Sequence, residues 1–195
     1  MRPTRMIALA LPFAAVLAAA PGRTDAAAQK WYERAVKGVS AKFEPAEAKP
    51  GQTVTFKYTV ELNDGFYTYP LAQPEKAAAG FVNTLTFPAP GTVIFVGTAA
   101  DPDKLPGRAE LEQGIKELRY APGTVTYTRK AVVSPKAAAG EASAKATLKL
   151  SVCDKNNCYM PKDVPAEARL KVLPGPAVEV EPAFRDEVAK ALGGK

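Results

Sequence analysis

Apolar and polar positions alternate most cleanly between Thr53 and Leu62. There Val54, Phe56, Tyr58, Val60 and Leu62 interleave with Thr53, Thr55, Lys57, Thr59 and Glu61. A period of two sends the first set to one face of a strand and the second to the other, so the stretch predicts a half-buried strand with one wet face. Shorter runs follow. Val39 to Phe43, Phe66 to Tyr69, Leu85 to Phe87, Val93 to Val96, Ile115 to Tyr120, Thr124 to Val133, Ala144 to Cys153 and Val164 to Leu173 all read as strands. Turn residues separate them: Pro45 to Gly51, Asn63-Asp64-Gly65, Pro70 at the end of the aromatic strand, Pro122-Gly123, and the Ala, Gly and Lys-rich stretch from Ser134 to Ser143. Short strands with frequent turns and little helical period predict an all-β fold, an immunoglobulin-like β-sandwich of about eight strands.

Three stretches do not fit that pattern. Residues 71–82 carry Pro74 and an alanine cluster and read as a connecting loop. Gly97 to Gly114 is polar and proline-punctuated, and long enough to fold over something. After Leu173, Pro174-Gly175-Pro176 and Pro182 mark a linker, and Phe184, Val188 and Leu192 are spaced for one face of a short helix. That short C-terminal helical tail is expected to lie on the sandwich or fray in solvent rather than bind a partner.

The amino terminus has a different character. Arg2 and Arg5 precede an apolar run from Met6 to Ala20, and Ala26, Ala27 and Ala28 offer a small-residue cleavage site before Gln29. This is the pattern of a cleaved signal peptide, and the run is shorter than the roughly 20 residues a membrane span needs. The expected organisation is a signal peptide over 1–28, an amino-terminal arm or short helix over 29–38, an immunoglobulin-fold domain over 39–173, and a linker with a helical tail over 174–195. The expected location is periplasmic or secreted, with no membrane span in the mature chain. Cleavage would lower the net charge from +6 to about +4. The remaining basic residues are scattered singly, without the basic stripe and interleaved aromatics that nucleic-acid binding needs, so no nucleic-acid partner is expected.

Chemistry is narrowed by an absence. The chain has no histidine, which excludes Ser-His-Asp and Cys-His catalysis and histidine-containing zinc sites. No stretch matches a P-loop or a dinucleotide fingerprint, and no cofactor or metal site is expected.

What remains is the pair of cysteines, Cys153 and Cys158, the only two in the chain. The residues between them, Asp154-Lys155-Asn156-Asn157, are turn formers, so the sulfurs are expected to face each other across a hairpin. Directly opposed antiparallel residues have Cα atoms roughly 4.5–5.5 Å apart, inside the roughly 4.4–6.8 Å that a disulfide accepts. Leu148, Leu150 and Val152 share one strand face and Cys153 takes the other, so Cys153 is expected on an outer or edge side that a partner can reach. Closing so short a loop gives roughly 2 kcal/mol of entropic stabilisation, a small return for a structural staple. Lys155 and Lys162 favour a thiolate and Asp154 opposes one. The expected thiol is an ordinary, weak nucleophile, with the attacking thiolate supplied by a partner. From spacing alone, a redox pair and a plain staple both stand open.

Three features together carry a resemblance: the Pro50-Gly51-Gln52 turn before the alternating strand, the Gly65-Phe66-Tyr67-Thr68-Tyr69 strand, and the Cys153 to Cys158 hairpin trailed by Tyr159-Met160-Pro161. They resemble the disulfide bond corrector family, typified by the amino-terminal periplasmic domain of the thiol:disulfide interchange protein DsbD, over about Val39 to Leu173. The resemblance implies a sandwich whose cysteines cycle between dithiol and disulfide. Electrons would arrive from a thioredoxin-like donor and leave to periplasmic thiol-disulfide proteins. It implies Cys153 and Cys158 as the redox pair and Tyr67, Tyr69 and Tyr159 as walls of the site, although ordinary sandwich packing explains the tyrosines equally well. Family members place five residues between the cysteines, where this chain has four, and they continue into a membrane domain and a thioredoxin-like domain. A separate membrane electron donor is the expectation here. The family also caps its disulfide with a loop, for which Gly97 to Gly114 is the candidate by position.

Two other readings stay open. One is a secreted interaction module whose disulfide is structural. The other is a Cu(I) site using the soft ligands Cys153, Cys158 and Met160.

Overall fold

The computed structural model describes residues 30–110 and 113–194; the expected signal peptide lies outside the described residues. Two four-stranded sheets form the body. One has the order β1 (Val36–Glu44), β3 (Thr53–Leu62), β10 (Thr124–Val133), β6 (Val93–Ala100). The other runs β2 (Glu47–Ala48), β13 (Lys162–Val172), β11 (Gly140–Leu150), β5 (Thr84–Thr86). All their pairings are antiparallel except β2 with β13. This is the expected immunoglobulin-like sandwich.

The alternation that predicted β3 is the alternation of its burial: Val54, Phe56, Tyr58, Val60 and Leu62 are all buried. They meet Leu148, Leu150, Leu170 and Val172 from the opposite sheet in one core. Phe56 stands edge-on to Phe43 and Phe95, with ring centroids 5.4 Å away in each case. The Tyr58 hydroxyl crosses between the sheets and donates to the Val164 carbonyl at 2.6 Å, which satisfies the only polar atom that ring brings into the core.

Strand β6 is apolar on consecutive positions because both its faces are covered. Val93 joins the sandwich core, while Ile94 and Val96 lie under the carboxy-terminal helix α2 (Arg185–Ala191), with Val188 buried against them. The tail therefore lies on the sandwich. Its path crosses the Pro50-Gly51 turn, where Val178 N–H donates to the Pro50 carbonyl at 2.8 Å. Gly51 has φ +84°, and a Cβ there would meet the Val178 carbonyl oxygen at 2.0 Å. Only glycine satisfies both conditions.

Four details differ from expectation. The short-helix alternative holds for residues 30–35, α1, but β1 begins at Val36 rather than Val39. The polar stretch after Gly97 is not one loop, since β6 runs on to Ala100 and β7 (Gly107–Glu110) pairs with β8 (Ile115–Arg119). The strand after Ala144 breaks at Ser151, and β12 (Val152–Cys153) leaves the second sheet to pair with β4 (Tyr67–Thr68), which pairs with β9 (Ala121–Pro122). Finally, Cys153 is buried. Among the described residues, no helix is long and apolar enough to cross a membrane.

Candidate functional site

The small sheet β12–β4–β9 exists because the chain is redirected at Ser151. Its N–H donates to the Asn83 side-chain carbonyl at 2.8 Å, and its carbonyl accepts from the Thr68 hydroxyl at 2.6 Å. The Asn83 amide in turn lies 2.7–2.8 Å from the Thr68 hydroxyl, the Tyr69 carbonyl and the Tyr127 hydroxyl. Asn83, Thr68, Tyr69 and Tyr127 are buried and Ser151 is half-buried, and each group finds a partner in the others. Asn83 thus ties β12, β4 and β10 together at one point.

Beyond Ser151 the period of two persists, but its consequence changes. Val152 faces the main core, and Cys153 faces a second apolar cluster with Tyr69, Ala78, Ile115 and Leu118, edged by Tyr67, Phe81 and Tyr120. The face expected to be outer has a roof, made of residues 70–81 and the β7–β8 hairpin. Polar side chains fasten this roof. Gln73 exchanges hydrogen bonds with the Arg119 backbone, donating at 2.8 Å and accepting at 2.9 Å, and also donates to the Phe81 carbonyl. Asp101 accepts from Leu71 N–H at 2.6 Å. Arg108 stacks over Tyr67 and Tyr120, 4.8 and 5.1 Å from their centroids, and its guanidinium donates to the Tyr67 hydroxyl and to Glu110.

Cys153 and Cys158 form a disulfide, with Cα atoms 4.0 Å apart. This is shorter than expected, because the two residues form an isolated antiparallel bridge across a very tight turn. Asp154 builds that turn. Its N–H donates to the Asn157 carbonyl, and its Oδ1 accepts from Asn156 and Asn157 N–H at 2.8 Å each. The Tyr159 hydroxyl donates to Asp154 Oδ2 at 2.6 Å, and this bond, followed by the two backbone donors, holds the carboxyl below its usual range.

The two sulfurs have unequal surroundings. Cys153 is 1% exposed, while Cys158 is exposed. The Tyr69 hydroxyl donates to both, at 3.3 Å to Cys153 Sγ and 3.6 Å to Cys158 Sγ. Burial, then the neighbouring Tyr67, pushes the Tyr69 phenol up from its ordinary value, so it remains a proton donor. Cys158 opens onto a cleft of about 370 Å³ lined by Tyr67, Tyr69, Phe81, Arg108, Glu110, Gln113, Leu118 and the hairpin residues 154–157. Tyr67 and Tyr69 therefore sit together with the cysteines. Tyr159 does not line the cleft, and stacks instead on Trp31, centroids 5.6 Å apart with planes 11° from parallel. Of the two lysines, Lys155 lines the cleft and Lys162 lies over the Tyr32 ring. Met160, the third soft ligand considered, is 78% exposed, and both cysteines are bonded to each other. Among the described residues, no cluster of three or more His, Cys, Asp or Glu side chains is arranged to hold a metal ion.

Asn83, Gln73 and Arg108 were not anticipated. Asn83 alone leaves a signal, as a polar residue between Phe81-Val82 and Thr84-Leu85 where no turn is needed. Gln73 and Arg108 lie in stretches with no periodic pattern and leave none.

No family model and no curated protein matches this chain. Among solved structures it is similar to the N-terminal periplasmic domain of ScsB from Proteus mirabilis, at 17% identity and a TM-score of 0.38, over 78% of this chain and 51% of that one. The chain thus spans about half the length of that protein. It is also similar to AggA, the major subunit of aggregative adherence fimbriae type I from Escherichia coli, at 13% identity and a TM-score of 0.31, covering 70% of this chain and 95% of AggA. A third is AvmM, which catalyses macrocyclization in alchivemycin A biosynthesis, at 14% identity and a TM-score of 0.30, covering 72% and 91%.

Proposed function

We propose that this chain is an exported thiol-disulfide exchange domain that passes reducing equivalents between thioredoxin-like partners through Cys153 and Cys158. The observation that carries the reading is the asymmetry of the disulfide. One sulfur is open to a cleft, and the other is buried beneath a phenol that donates to it.

That asymmetry supports one order of events. A partner thiolate attacks Cys158 Sγ, the Cys153–Cys158 bond breaks, and Cys153 leaves as a thiolate that accepts the Tyr69 hydrogen bond and then takes up a proton. The partner's second thiol loses its proton and attacks the partner's own sulfur in the mixed disulfide, and Cys158 leaves as a thiolate that takes up a proton. Two electrons and two protons have then moved from the partner dithiol to this chain, and the reverse sequence delivers them to an acceptor. The protein supplies no base of its own, in keeping with a weak nucleophile that depends on its partner.

Two measurements test this. With Cys153→Ala, Cys158 keeps its thiol and should be trapped in a mixed disulfide with a thioredoxin-like protein lacking its resolving cysteine. Cys158→Ala should trap far less, because Cys153 is buried. Equal trapping by both variants, or none by either, overturns the proposed order. The reduction potential separates the relay from a staple: a value between roughly −200 and −280 mV belongs with exchange proteins, and one below about −300 mV with structural bridges.

A further inference from the structure

The hairpin that holds the disulfide is exposed from Lys155 to Cys158, so it has little packing of its own. Besides the pairing of β12 with β4 and the Tyr69 hydroxyl at the sulfurs, the hairpin is tied to the rest of the molecule on the side away from the cleft, through α1. Trp31, buried in the main core, stacks on Tyr159. Arg34 Nη2 donates to the Tyr159 hydroxyl at 2.6 Å, that hydroxyl donates to Asp154 Oδ2 at 2.6 Å, and Asp154 Oδ1 accepts from the two backbone N–H groups of the loop between the cysteines. The far end is anchored as well. The Asn63 side chain donates to the Arg34 carbonyl and Asn63 N–H donates to the Ala35 carbonyl, both at 2.9 Å. An unbroken chain of hydrogen bonds therefore links the β3–β4 turn, α1 and the disulfide loop, which are far apart in sequence.

We infer that Arg34 is a positioning residue for the cysteine pair, acting through Tyr159 and Asp154. This rests on the thiol-disulfide reading above. While the disulfide is closed, the covalent ring fixes the hairpin. Once it is reduced, the Tyr159 N–H bond to the Val152 carbonyl, the Tyr69 hydroxyl and the Asp154 turn keep Cys158 beside Cys153, and of these the Asp154 turn orders the loop between the two. A strut that preserves the turn in the dithiol lowers the ordering cost of closing the bond again, so it favours the disulfide relative to the dithiol. Removing it makes the pair easier to reduce.

The test is the equilibrium between disulfide and dithiol in a graded thiol buffer, for the full mature chain and four variants. Arg34→Ala breaks the Arg34–Tyr159 link and Tyr159→Phe breaks both links at that hydroxyl, and each should raise the equilibrium constant for reduction about threefold to tenfold, the range of a modest hydrogen bond. The double variant should shift it no further than Tyr159→Phe alone, since both cut one chain. Arg34→Lys keeps a donor for the Tyr159 hydroxyl and should return part of the shift. A purely structural role would lower the melting temperature and leave the constant unmoved within twofold, which overturns the inference. Singles that multiply in the double variant overturn it too. A wild-type pair that no thioredoxin-like protein reduces would overturn the relay instead, and the same titration driven by dithiothreitol would still read the strut.

Discussion

The molecule buries apolar side chains in two ways. Under the two large sheets, Phe43, Phe56, Tyr58, Leu148, Leu150 and Leu170 are enclosed by strands that alternate in sequence and pair over eight to eleven residues. Around Cys153, a handful of residues are enclosed by strands of two to five residues and by loops fastened through Gln73, Asp101 and Arg108. The first enclosure is closed by area, because each large side chain removed from water contributes about 1.5–3 kcal/mol. The second is closed by directional bonds at half-exposed positions, which are worth less and break one at a time. A disulfide in the main core would be reached only when the protein unfolds, whereas here Cys158 already opens onto the cleft and only Cys153 lies beneath the small roof.

The comparison is broken most directly in the main core. Phe56→Ala removes a fully buried ring and should cost about 3–5 kcal/mol by urea denaturation. Under native conditions the rate at which dithiothreitol reduces the disulfide should stay unchanged, because the roof does not draw on this core for its closure. A rate that rises in proportion to the lost stability would mean that the disulfide is reached only through global unfolding, and the two regions would then be one.

Asn83 stands where the regions meet, and its effect should be intermediate. Asn83→Ala leaves Ser151 N–H without its acceptor and withdraws a donor from Thr68 and the Tyr69 carbonyl, at about 1–3 kcal/mol for a buried polar group left unpaired. The loss should concentrate in β12 and β4. Amide exchange at Cys153 and Thr68 should accelerate more than at Val60 or Leu170. Uniform acceleration would make Asn83 part of the global core.

The same contrast decides what the sequence could reveal. The alternation of β3 reports burial on one face, and the sheet pairing supplies the other, so the sandwich was readable from periodicity. The site was readable only in part. Cys153 and Cys158 stood out because they are the sole pair, and Tyr67 and Tyr69 were suggested by the resemblance. The placement of the roof left no pattern, because β7 and the segment around Gln73 are fastened by side-chain hydrogen bonds, and hydrophobic periodicity carries no trace of those. The burial of Cys153 was misjudged for the same reason. Its face was assigned correctly, but what lies over that face comes from residues 70–81 and β7, which read as loops, and from β8, which read as a strand with nothing in the sequence to place it there. The strut was hidden in turn, since a contact in which Arg34 reaches Tyr159 across 125 positions has no local signature.

The smallest effect on stability should accompany a large effect on chemistry. Tyr69→Phe removes one hydroxyl that donates to disulfide sulfur, a poor acceptor, and keeps the ring against Tyr67 and Phe81. Its cost to folding should be below about 1 kcal/mol. When Cys153 departs as a thiolate, however, the acceptor is charged, and hydrogen bonds to charged groups are worth about twice as much as neutral ones. Reduction by a thioredoxin-like partner should then slow by about tenfold, at 1.4 kcal/mol per factor of ten in rate. The pH profile separates this role from packing. Burial and Tyr67 hold the Tyr69 phenol above its ordinary 10.0, so its proton is in place throughout the range below that value. The wild-type rate should therefore rise with pH as the attacking thiol ionises, with no decline below pH 10, and the Phe variant should run parallel and lower. Curves that coincide would leave Tyr69 as packing alone, and the buried thiolate would then need another donor.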